Sequence, residues 1–283
     1  MMNLELVQNQ FSSLTDIVEI GAGGFKTVYS AKHPDHGLIA IKIIRPGPDA
    51  EVMRRELIVP QQIPSGRMPE IIESGEFDDN GNQINWVFEQ FIPGGNLAEF
   101  ISRNGPLSNT QLVRLTLHVL ESLAGAEQVR IVHRDVKPLN ILCHTDGSYW
   151  LIDFGIARHL DLYSMTSDSN IFGKCTLGYA PTEQMRNNKN EMDSRTDLFA
   201  LGITVHEAAS TVHPFLSHAR DRLEAMHLVE TKRLPRLALD IESADSFADL
   251  IETLVAKRRD QRTRTALEAL EWVREIAESN NVS

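Results

Sequence analysis

Ile131–Gly155 reads IVHRDVKPLNILCHTDGSYWLIDFG, and its pattern fixes the framework from which the rest of the chain can be read. Two short apolar segments, Ile131–Val132 and Asn140–Cys143, flank the polar loop His133-Arg134-Asp135-Val136-Lys137-Pro138-Leu139-Asn140. The turn His144-Thr145-Asp146-Gly147 carries an Asp-Gly pair between β-like flanks, which predicts a hairpin. Tyr149–Ile152 reads as its buried return strand and delivers Asp153-Phe154-Gly155. Three oxygen-bearing side chains, Asp135, Asn140 and Asp153, are thereby carried on one small framework.

Bulk properties bound the class. A length of 283 residues suits two lobes or one large domain, and 42% hydrophobic residues support a sizeable core. No run approaches the roughly 18 consecutive apolar residues of a membrane span. The opening MMNLELVQNQ lacks the basic-then-apolar order of a secretory signal. A soluble, cytoplasmic protein with no membrane partner is the expectation. Two cysteines, Cys143 and Cys175, are too few for a disulfide framework or a cysteine-based zinc site. A formal charge of −11 argues against nucleic acid as a partner.

Residues 1–13 read as a short leader with helical tendency. From Asp16 the pattern turns β-like: Ile17–Ile20, Thr27–Ala31 and Leu38–Ile44, separated by Gly21-Ala22-Gly23-Gly24 and by His33-Pro34-Asp35-His36-Gly37, predict an antiparallel meander. Asp49–Val59 predicts a short helix capped by Asp49 and ended by Pro60. Trp86–Phe91 predicts a buried strand running into Gly94-Gly95. Ser108 caps a helix whose Leu112, Leu115, Val119, Leu120 and Leu123 recur at helical spacing. Further helices are expected from Asp197, over Ala219–Thr231, over Ser246–Lys257 and over Thr265–Ser279, the last with Leu267, Leu270, Val273 and Ile276/Ala277 on one face.

HRDVKPLN followed by DFG resembles the catalytic core of eukaryotic-type serine/threonine protein kinases. Ile20-Gly21-Ala22-Gly23-Gly24-Phe25-Lys26-Thr27-Val28 is similar to that family's glycine-rich loop, and Ala40-Ile41-Lys42 to its strand lysine. The resemblance implies an α+β, bilobal fold: an antiparallel β lobe with one helix over residues 14–91, and a mainly helical lobe over 92–283. It implies transfer of the γ-phosphate of ATP to Ser or Thr hydroxyls of a protein substrate, this chain itself among the candidates. Asp135 would orient and deprotonate the acceptor hydroxyl, Lys137 would neutralise the transferring phosphoryl group, and Lys42 would pair with the α- and β-phosphates. Ile20, Gly21, Ala22, Gly23 and Gly24 would cover the nucleotide, Val28 and Ala40 would line the adenine pocket, and backbone groups around Gln90–Ile92 would meet the adenine edge. Asn140 and Asp153 would hold magnesium, with manganese as an alternative. Glu56 is the implied helix partner of Lys42, with Glu51 its rival.

The resemblance extends to Cys175–Gln184, where Thr176 would contact Asp135 and Lys137. Asp197 would hold backbone amides of the catalytic loop. The hydroxyl-rich Leu162–Asn170 offers Ser164, Thr166, Ser167 and Ser169 as phosphorylation candidates that Arg134 would grip. Departures are equally legible. The third loop glycine falls at Lys26, the expected Ala-Pro-Glu reads Pro181-Thr182-Glu183, and Glu89 stands where the family usually has an apolar residue. Glu183 would pair with Arg264 in Asp260-Gln261-Arg262-Thr263-Arg264. Two rival readings remain: a nucleotide-binding, pseudokinase-like module, and a small-molecule kinase. Sequence leaves oligomeric state open.

Overall fold

A computed structural model describes residues 4–22, 26–44, 63–64, 67–153, 175–188 and 191–283. These fall into two compact units, Met1–Gln62 with Pro69–Ile92, and Ile63–Met68 with Pro93–Ser283.

The first unit is built on five antiparallel strands: β1 (Thr15–Ala22), β2 (Lys26–His33), β3 (Gly37–Ile44), β4 (Ile71–Asp79) and β5 (Asn82–Gln90), in the order β1-β2-β3-β5-β4. The expected meander is β1 to β3. Because side chains alternate along a strand, the sheet has two chemically different faces. One carries Tyr29, Ala31, Ile39, Ile41, Ile43 and Phe88, and it buries them under α1 (Leu4–Gln10) and the residues after it. Val7 is fully buried there, and the Phe11 ring meets Phe77, Trp86 and Phe88 edge-on at 6.1, 5.1 and 5.1 Å. The stretch read as a leader therefore supplies part of this unit's core. The opposite face carries Val28, Ala40, Lys42, Val87 and Glu89, as the pairings Val28↔Lys42, Ala40↔Glu89 and Lys42↔Val87 require.

β4 is an addition to the strands expected from the sequence. Its side chains are mostly exposed or half-buried and acidic, so hydrophobic alternation is weak. Its signature lies in the turn instead: Asn80-Gly81 joins β4 to β5 with φ of 55° and 85°, the positive pair of a tight hairpin turn.

The second unit is organised by α3 (Asn109–Gln128), which follows α2 (Leu97–Asn104). Ser108 and Gln111 form a reciprocal capping box at the start of α3. Leu115, Val119 and Leu120, among the residues expected on its apolar face, are fully buried. Around it lie α5 (Ser194–Ser210), α7 (Ala244–Leu254) and α8 (Ala266–Ser279), with α6 (Arg222–Thr231) and the single turn α4 (Thr182–Met185) alongside. Leu267 leads the expected stripe of α8 but is 42% exposed, and Ala266 takes the buried position. Glu127, near the end of α3, accepts the Ser194 hydroxyl at the start of α5 and the Ala266 amide (2.9 Å) at the start of α8. One carboxylate thus ties together two helix N-termini, and at α8 it meets amide donors that lack intrahelical partners. Gly202 lets α5 and α7 approach closely, since a β-carbon there would lie 2.5 Å from Val255 Cγ1.

Ile63 and Met68 join this helical core, and the Arg67 carbonyl accepts from Leu151 N (3.0 Å) and Ser122 Oγ (3.1 Å). The hairpin predicted from Asp146-Gly147 is present as β6 (Ile141–Cys143) and β7 (Tyr149–Leu151). Gly94 (φ 128°) presses against it: a β-carbon would fall 1.8 Å from the Cys143 carbonyl oxygen, so no other residue fits. Burial pushes the Cys143 thiol up to about 12, in keeping with a small packing residue. Among the described residues no helix is long and apolar enough to cross a membrane.

Candidate active site

The loop His133–Asn140 is held from beneath by two buried groups. The Asp197 carboxylate, in the first turn of α5, accepts the amides of His133 and Arg134, each at 2.7 Å. Burial raises the Asp197 carboxyl above the ordinary range, while the two amide donors oppose this by favouring the ionised form. Asp193, and not Asp197, caps the helix, so Asp197 is left to serve the loop. His133, fully buried, accepts the Asp135 amide on Nδ1 (3.2 Å) and faces the Ile152 carbonyl with Nε2 (2.9 Å). An Nε2–H tautomer satisfies both contacts. Arg134 sits at φ 66°, a conformation a non-glycine residue holds only when its surroundings enforce it. Its carbonyl is engaged by Gln184 Nε2 at 2.7 Å.

On this base stands a closed polar ring. Asp135 is half-buried. Its Oδ2 accepts from Lys137 Nζ at 2.7 Å and from Asn140 Nδ2 at 2.9 Å, and its Oδ1 accepts the Thr176 hydroxyl at 2.5 Å. Thr176 in turn accepts from Lys137 Nζ at 2.8 Å. Thr176 thus contacts both Asp135 and Lys137, as the sequence leads one to expect.

The hairpin brings in Asp153. The Ile141↔Leu151 register places Asn140 opposite Ile152, whose amide donates to the Asn140 carbonyl at 2.9 Å. Asp153, at φ 66°, follows directly. With its Nδ2 engaged by Asp135, Asn140 retains Oδ1 as a hard oxygen donor, and the residue after its hairpin partner Ile152 is a second one, the Asp153 carboxylate.

In the strand unit, Val28 and Ala40 are half-buried beside the buried Lys42 on one sheet face. Lys42 Nζ lies 2.9 Å from Glu89 Oε1 and 2.7 Å from Oε2, and both residues are under 9% exposed. Ile20, Gly21 and Ala22 end β1 and are exposed. Gln90 ends β5 with its amide donated to the Glu70 carbonyl (2.8 Å), and Ile92 is buried. Gly23, Gly24, Glu56 and its rival Glu51, the Asp49–Val59 helix, Phe154, Gly155 and the candidates Ser164, Thr166, Ser167 and Ser169 lie outside the described residues.

The expected Glu183–Arg264 pair is corrected. Arg262 binds Glu183, with Nη1 at 2.6 Å from Oε1 and Nη2 at 3.4 Å from Oε2, while Arg264 is exposed. A 3₁₀ turn over Arg259–Gln261 swings Arg262 inward, and its guanidinium also donates to the carbonyls of Ala256, Arg195 and Lys257 and covers the Phe199 ring at 4.9 Å. The sequence offered several arginines within a few residues. Only the turn selects among them.

Tyr179 and Lys257 were not singled out from the sequence. Tyr179 donates its hydroxyl to Glu207 and stands edge-on to His213 at 4.7 Å. Burial first, then Glu207, drives the phenol's pKa strongly upward, and burial alone brings His213 down to about 4. Lys257 Nζ lies over the Phe215 ring at 4.4 Å with no hydrogen-bond partner among the described residues.

The profile of the family described as "Protein kinase domain" matches residues 14–273. A probable serine/threonine-protein kinase of Clostridium perfringens is 28% identical over 93% of this chain and 38% of its own length. The probable serine/threonine-protein kinase PknB of Lactococcus lactis is 29% identical over 76% of this chain and 34% of its own length. Serine/threonine-protein kinase PrkC of Bacillus subtilis is 33% identical over 74% of this chain and 32% of its own length. The chain thus spans roughly a third of the length of these curated relatives. With the match covering residues 14–273, the chain belongs to the protein kinase domain family.

Proposed function

We propose that this chain is a serine/threonine protein kinase domain that transfers the γ-phosphate of ATP to a hydroxyl of a protein substrate. The observation that carries the reading is the Thr176 hydroxyl donating to Asp135 beside Lys137. It is an internal example of the contact an acceptor hydroxyl would make with the same carboxylate.

Asp135 orients the acceptor oxygen and takes its proton, a role that depends on position as much as basicity. Lys137, 2.7 Å from Asp135, supplies positive charge to the transferring group. Lys42 engages the phosphates, and Val28 and Ala40 offer the base an apolar surface. Backbone groups at Gln90 and Ile92 bind the base edge, and Ile20 to Gly24 cover the phosphates. Glu56 is a further partner for Lys42. Asn140 and Asp153 supply hard oxygen donors that suit magnesium, or manganese in its place. Such a cation, when bound, neutralises phosphate charge.

Transfer from labelled ATP to a generic Ser/Thr peptide tests this. Wild type is expected to label the peptide, and Asp135→Ala and Lys42→Ala to abolish labelling. Nucleotide binding without any transfer by wild type would replace the reading with that of a binding module.

A further inference from the structure

Glu89, on the sheet face that carries Lys42, has no role in the reaction as described. It is a buried carboxylate on a sheet face that also carries Val28, Ala40, Lys42 and Val87. A carboxylate is buried at a cost unless a partner offsets the lost hydration. Here both oxygens close on Lys42 Nζ, at 2.9 and 2.7 Å. The two residues are diagonal neighbours on adjacent strands, since Ala40 pairs with Glu89 and Lys42 with Val87. The ladder between β3 and β5 runs from Ile39↔Gln90 to Ile44↔Asn85 without a register shift, unlike the β1–β2 and β4–β5 pairings. Its opposite face is locked into the core by Ile39, Ile41, Ile43 and Phe88. The geometry of the pair is therefore set by continuous backbone hydrogen bonding, with no hinge between its members.

We propose that Glu89 is a positioning residue for Lys42, a carboxylate supplied by the sheet itself that aims the ammonium for the nucleotide phosphates. This rests on the kinase reading and deepens it. A four-carbon lysine stem has many rotamers, and a bidentate contact from a rigid neighbouring strand removes most of them before the phosphates arrive. Each carboxylate oxygen has two acceptor sites, and the ammonium has three donors. Two contacts to Glu89 therefore do not by themselves use every donor of Nζ.

The test separates aiming from mere support of the pocket by comparing two ligands. Dissociation constants for ATP and for adenosine are measured by calorimetry on wild type, Glu89→Gln and Glu89→Leu. The Gln variant is nearly isosteric and guards against loss of fold in the Leu variant. Loss of aim weakens only phosphate contacts. ATP affinity is expected to fall about tenfold in Glu89→Leu and by less in Glu89→Gln, with adenosine affinity within about twofold of wild type; tenfold corresponds to about 1.4 kcal/mol. kcat/KM for peptide labelling should fall in the same order. Unchanged or tighter ATP binding in both variants overturns the proposal, tighter binding meaning that Glu89 competes with the phosphates. Parallel loss of ATP and adenosine overturns it too, assigning Glu89 to the pocket's structure. If wild type itself binds neither ligand, the kinase reading fails first, which distinguishes the two failures.

Discussion

At the scale of the residue, the polar ring around Asp135 and the buried pair at Glu183 make opposite demands. In the ring, each group is satisfied by several others, so removing one disturbs chemistry more than folding. Thr176→Val should leave the Tm near wild type and lower kcat by about tenfold or more, because Asp135 and Lys137 lose their shared hydroxyl. Steady-state kinetics beside a thermal melt checks both halves. At Glu183, by contrast, Arg262 is 3% exposed and every contact is internal. Arg262→Ala should cost about 3–5 kcal/mol by stranding the carboxylate, and Arg262→Lys should not restore it, lacking the forked geometry. Arg264→Ala, at an exposed position, should stay within about 0.5 kcal/mol in the same urea titration. Lys257 gives a pH signature. Burial first, then Arg262 and Lys232, lowers its pKa from 10.5 to about 8. The folded value lies below the unfolded one, so the unfolded chain holds more protons between the two. The penalty is full below pH 8 and fades as pH rises toward 10.5. Lys257→Met should therefore be more stable than wild type at pH 7, by roughly 1 kcal/mol after allowance for partial exposure, and the advantage should vanish by the upper end of that window. Melts across pH read this directly.

At the scale of the element, helix termini and close approaches decide which substitutions the fold tolerates. Glu127 joins the end of α3 to the starts of α5 and α8. Glu127→Ala should cost about 1–3 kcal/mol, with faster amide exchange concentrated in the first turn of α8. The same scale separates what was legible from what was not. Asp146-Gly147, the capping box at Ser108 and the alternating isoleucines of β3 are local signals, and the corresponding hairpin, helix and strand are where they indicate. β4 escaped because an acidic, largely exposed strand has little hydrophobic alternation, although Asn80-Gly81 marked its turn. α2 is capped by Asn96, whose side chain accepts the Glu99 amide at 2.9 Å, a cap signal hidden behind Gly94-Gly95.

At the scale of the whole molecule, the two units have separate hydrophobic cores, one of strands closed by α1 and one of helices that includes Ile63 and Met68. Phe11→Ala should cost about 3–5 kcal/mol, since it empties the contact with three aromatic rings. Hydrogen exchange should rise across β1 to β5 while the amides of α3 and α8 keep their protection. The sequence by itself determined the type of each unit and the chemistry-bearing loop. Turn chemistry, capping and periodicity are local properties, and HRDVKPLN with DFG packs its functional groups into a few residues. Tertiary structure alone decided that Arg262 and not Arg264 meets Glu183, that Glu89 closes on Lys42, and that Val7 and Phe11 belong to a core. Each of these joins groups distant in the chain. Several candidates of equal local merit compete for such a contact, and the choice falls to whichever one the packed backbone brings within hydrogen-bonding reach.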